Sequence, residues 1–78
     1  MNRRQQTALA LGIAEWATAV EHMAATANRD RRTEVEFLRL IAMWPGESNF
    51  RDTVAQARRW VTQHPQLVEE LLPSRLSE

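Results

Sequence analysis

The chain is predicted to be all-α, a small bundle of three to four helices with a long first helix. Three observations support this. Apolar residues recur at alternating steps of four and three from Leu9 through Ile13, Trp16, Val20 and Met23 to Ala27, the period of a helix packed lengthwise on another helix. Only two Gly and three Pro punctuate 78 residues, and alanine is frequent, which is a helix former's composition. β-Branched residues are scattered, and no alternating run ends in the turn residues that would mark a strand. The periodicity and the caps place helices over 5–28, 34–44, 50–63 and 66–72, within one domain spanning 1–78 whose ends, 1–4 and 74–78, are expected to be disordered tails.

A single core of this size leaves a stability margin of about 3–5 kcal/mol, so association with another chain is the expected supplement. There is no Cys, which excludes disulfides, thiolate metal sites and cysteine nucleophiles, and which suits a reducing cytoplasm. Ten basic residues, all Arg, balance ten acidic ones, so overall charge gives no long-range pull toward nucleic acid or an anionic membrane. Without Lys there is neither a Schiff-base residue nor a P-loop. The apolar stretch from Ala8 to Ala14 ends at Glu15, too short for a secretory signal. No other run approaches the roughly 20 residues that span a bilayer, and no membrane partner is expected.

Helix one carries the seam. From Leu9 to Ala27 it is about 28 Å long at the α-helical rise, longer than either later helix. It must therefore face several elements in turn or a second copy of the chain. Leu9, Ile13, Trp16, Val20 and Met23 are the proposed interface, and a homodimer is the expected assembly. Ala10, Ala17 and Ala24 flank the seam at intervals of seven, where small side chains let backbones approach. Glu15, Thr18 and His22 fall on the opposite, solvated side. His22 follows Glu21 directly, about 100° away around the helix, and so lacks the three-residue Glu–His spacing of carboxylate metal bundles. Asn28 is the expected left-handed end.

Arg29, Arg31 and Arg32 surround Asp30 in the first connection. They are either a solvated loop, with Arg32 reaching Glu36, or a patch for an anionic partner, because forked guanidinium groups suit carboxylates and phosphates. Helix two follows the capping-box pattern of Thr33 with Glu36. Its stripe of Phe37, Leu38, Ile41 and Trp44, widened by Leu40, is the expected centre of the core, and Pro45-Gly46 stops it.

Helix three is capped by Asn49 with Asp52 three residues on. Glu47 and Arg51 precede and open it four apart. Phe50, Val54, Ala57 and Val61 form its stripe, with Trp60 at the edge, while Arg51, Gln56, Arg59 and Gln63 face outward. Together with helix two and the Pro-led turn, this has the outline of a helix-turn-helix, and those four side chains are types that read base edges. His64-Pro65 ends the helix, and Pro65 opens a short fourth one with Leu67, Val68, Leu71 and Leu72 inward, Glu69 and Glu70 outward, and Pro73 as its stop. That helix either docks on the rest or serves as a detachable motif for a partner's groove.

Three Ser and two His fall in no nucleophile or phosphate motif, so no catalysis, metal or cofactor is expected. The long seam, three Trp and clustered Arg are what protein interfaces favour. The expected function is a non-enzymatic protein–protein interaction module, an adaptor, assembly factor or inhibitor, associating with itself through helix one. The alternative is a DNA-binding regulator using helix three.

Overall fold

Asn2 opens the first helix by a reciprocal cap. Its side chain accepts the Gln5 N–H at 2.8 Å, and the Gln5 side chain accepts the Asn2 N–H at 3.2 Å. Helix α1 therefore runs Arg3–Thr26, starting two residues ahead of the expected Gln5. The computed structural model describes residues 2–46 and 49–76, with side chains described as far as Leu72. The other helices are α2 (Arg31–Met43), α3 (Phe50–Gln63) and α4 (Pro65–Leu76), and no strand occurs among the described residues.

The left-handed residue that ends α1 is Ala27, at φ 59° and ψ 13°, and not Asn28. The chain turns one residue early because the Met23 Sδ accepts the Asp30 N–H at 3.1 Å, which holds the connection against the last turn. A Cβ in this conformation costs roughly 1 kcal/mol. Ala27→Gly is accordingly expected to raise stability by about 0.5–1 kcal/mol, read from the urea midpoint at unchanged slope.

Asp30, not Thr33, caps α2. Its carboxylate accepts the Arg32 N–H at 3.0 Å and the Thr33 hydroxyl at 2.8 Å. The hydrogen bond from Thr33 is the main reason its pKa lies below the ordinary carboxylate value. The residue expected as the cap is thus a donor to the real one. Glu36 pairs with Arg39 at 3.3 Å and not with Arg32. An acid N-terminal to its base is the better order along a helix, and Arg32 lies on the wrong side. At the other end the Trp44 N–H returns to the Ile41 carbonyl at 3.1 Å, and Gly46 takes φ 105°, which a side chain would resist. Asn49 caps α3 as expected, accepting the Asp52 N–H at 2.8 Å. Glu47, four residues before Arg51, lies outside the described residues.

The core gathers Leu9, Ala10, Ile13 and Ala17 from α1, Phe37 and Trp44 from α2, and Val54 and Ala57 from α3. Trp16, Val20, Leu40, Ile41, Trp60 and Val61 pack against it half-buried. Leu38, expected in the stripe, is instead 56% exposed. It lies one residue, a turn of about 100°, beyond Phe37 and so off the core face.

Two hydrogen bonds fix how α3 meets α1. The Trp60 Nε1 donates to the Thr7 hydroxyl at 2.8 Å, and Arg58 reaches Glu21 at 2.9 Å. Thr7 and Glu21 are about 21 Å apart along α1, whereas Arg58 and Trp60 are only two residues apart on α3. The helices therefore cross obliquely, with the small residues Ala10, Ala17 and Ala57 fully or almost fully buried in the shared core. Of the flanking alanines, Ala24 alone is exposed. Helix α4 packs on α1 and α3. Its backbone continues past Pro73, the expected stop, to Leu76, although a proline there forgoes a backbone donor. Of the two tails expected as disordered, Arg3, Arg4 and the backbone of 74–76 are helical, while residues 1, 77 and 78 lie outside the described residues. The whole measures 36 × 33 × 18 Å, a slab two helices thick.

Candidate interaction site

The seam of α1 is spent inside the chain. Leu9 is 7% exposed and Ile13 is fully buried, both in the core shared with α2 and α3. Trp16 and Val20 pack half-buried against that core, and Met23 is half-buried with its sulfur turned to Asp30. Of the two readings of its length, several intrachain elements in turn is the one the fold adopts. A surface of Leu9 and Ile13 is not on offer to a second copy. The hollows open along this helix include a groove of about 350 Å³ between α2 and α4, walled by Trp16, Leu40 and Leu71 over Gly12, and a wider one of about 640 Å³ lined by Gln5, Ala8, Leu9 and Met43.

Arg51, Gln56, Arg59 and Gln63 do stand on the outward side of α3, and all four are exposed. They are not equally available. The Gln56 Oε1 accepts the Trp44 indole N–H at 3.0 Å, a bond that ties α3 to the end of α2. Arg59 and Gln63 line a shallow cleft with Gln6, Pro45 and Trp60. Arg51 sits in the first helical turn, about 12 Å along the axis from Arg59. The structure thus brings three of the four together around a Trp-floored cleft and leaves Arg51 apart.

No group of three or more His, Asp or Glu side chains that would hold a metal occurs among the described residues. His22 is exposed. His64 stacks on Trp60 with ring centres 4.0 Å apart, and its Nδ1 lies 2.9 Å from the Trp60 carbonyl, to which it donates. That makes it a helix-end residue. No helix among the described residues is long and apolar enough to cross a membrane.

Arg29, Arg31 and Arg32 are exposed and form no ion pair among the described residues. What sequence reasoning missed is the face they lead onto. Arg31, Val35, Leu38 and Ala42 follow one another at steps of four, three and four, and all are exposed. Val35 is 47% exposed and Leu38 56%. Helix α2 therefore carries two apolar stripes, one toward Phe37 and Trp44 in the core and one toward solvent. The signal was present in the spacing. It is hidden because Leu38 adjoins Phe37 and reads equally well as part of the inner stripe. Compared with protein-family models, curated proteins and solved structures, the chain matches none.

Proposed function

We propose that the chain is a small protein-binding module that docks its partner on the outer face of α2. The observation carrying this reading is the second stripe of Val35, Leu38 and Ala42 on a helix of 13 residues whose other side is already committed to the core. A helix apolar on both sides is the pattern of one covered on both sides. Single exposed apolar residues are ordinary, whereas a contiguous row at packing period marks a site of association. Leu9 and Ile13 of the helix-one seam are taken up in the core, and adaptor, assembly factor and inhibitor all fall within this description.

The test is a photo-crosslinking amino acid placed at Leu38 and, in a parallel protein, at Thr18 on the solvated side of α1. Distinct protein adducts at Leu38 that are absent at Thr18 are the expected result. Equal adducts at both sites, or none at either, would remove the reading. A rise in solution mass with duplex DNA, lost steeply as salt increases, would replace it with base reading by Arg51, Arg59 and Gln63.

A further inference from the structure

We infer that the partner segment seated on α2 is an amphipathic helix with acidic residues beside its apolar stripe. This rests on the protein-binding reading above and names the occupant. The apolar row ends N-terminally in Arg31, with Arg29 and Arg32 adjoining it and Arg39 bordering it midway. Arg39 already has Glu36, whereas the other three have no ion-pair partner among the described residues. From Arg31 to Ala42 the row is about 16 Å long, room for three turns of a docked helix.

The placement of those cations is costly to the chain itself. Arg31 and Arg32 are the first two residues of α2, with Arg29 just before the cap, where the helix dipole favours anions and opposes cations. Asp30 offsets part of this for Arg32, whose charge acts on its carboxylate, but Arg29 and Arg31 have no ion-pair partner among the described residues, and a local rule broken on the surface is the mark of a residue kept for something outside the chain. Forked guanidinium groups beside a leucine row are complementary to carboxylates flanking another apolar row. Nucleic acid or an anionic membrane would present phosphates instead, but binding to either draws on net positive charge, and this chain's net charge is zero.

The probes are three synthetic amphipathic peptides sharing one leucine stripe, flanked by Glu, by Gln or by Lys, with binding followed by fluorescence anisotropy at low and high salt. The Glu peptide is expected to bind about tenfold tighter than the Gln peptide, the yield of two surface ion pairs, and high salt should erase that difference. Arg31→Glu/Arg32→Glu should melt several degrees higher than the parent, because it places anions at the helix start, yet lose the preference for Glu. Leu38→Gln should lose all the peptides while keeping the helical spectrum. If the Gln peptide binds through Leu38 with no preference for Glu, the acidic partner is wrong and the protein-binding reading stands. If no peptide binds, or anionic phospholipid vesicles capture the chain and the peptides do not, the inference is overturned. Adducts at Leu38 then decide separately whether that reading survives.

Discussion

Phe37→Ala is expected to leave the chain unfolded or at its midpoint of unfolding at room temperature. Phe37 is 1% exposed and is the largest side chain in the fully buried group. Its ring meets Phe50 edge-on at 5.0 Å between centres, joining α2 to the start of α3. Truncating a buried Phe removes about 3–5 kcal/mol, in part through the cavity it leaves. A single core of this size holds about 3–5 kcal/mol in all. Ile41→Ala, at a half-buried position of the same helix, should cost about 1–2 kcal/mol, less than full burial would give. Leu38→Ala, exposed, should change stability by no more than about 0.5 kcal/mol. Far-UV circular dichroism through a urea titration of the three proteins checks the ranking. A folded Phe37→Ala with a midpoint near that of Leu38→Ala would mean the core is not centred where the burial places it.

The second large effect is expected at Thr7, whose hydroxyl accepts the Trp60 indole N–H at 2.8 Å and donates onward to the Arg3 carbonyl. Thr7 is fully buried. Thr7→Val keeps the shape and deletes the hydroxyl, so the indole N–H is left without a partner in a part-buried place, at a cost of about 1–3 kcal/mol. Trp60→Phe removes the donor instead. The double variant should be less destabilised than the sum of the two, with a coupling of about 1 kcal/mol. Additive losses in the urea series would show that the bond contributes nothing to holding α3 on α1.

Helix existence, number and order were legible because they depend on punctuation and period, which are local. Pro45-Gly46, Asn49 with Asp52, and His64-Pro65 divide the chain where the structure divides it. The register of the first seam was also legible, since Leu9 and Ile13 are core residues. What covers a stripe is not local information. The length of the seam on α1 pointed as readily to a second copy as to α2 and α3 in succession. Thr7 was missed for a related reason: a hydroxyl at a helical position reads as surface until a donor such as Trp60, 53 residues away, is brought to it. The caps of α2 show a third limit. Asp30 and Thr33 are both competent, and the choice is made by where the chain enters the helix, which places Thr33 inside it as a donor to Asp30. For the binding face, the Arg cluster was visible and the apolar row behind it was not, because Phe37 and Leu38 are adjacent and only packing says which of them turns inward.

The position of α1 has a consequence for how the chain is made. Each of the other three helices packs on it, and α3, which covers Thr7, Ala10 and Ala17, ends more than fifty residues after α1 begins. At a synthesis rate of about 5–20 residues per second, residues 27–63 take roughly 2–7 s to add, and the stripe of α1 stands bare until they are made. During that interval α1 is an amphipathic helix without the elements that cover it, sticky toward other apolar surfaces. The helix made first is the last to be fully covered.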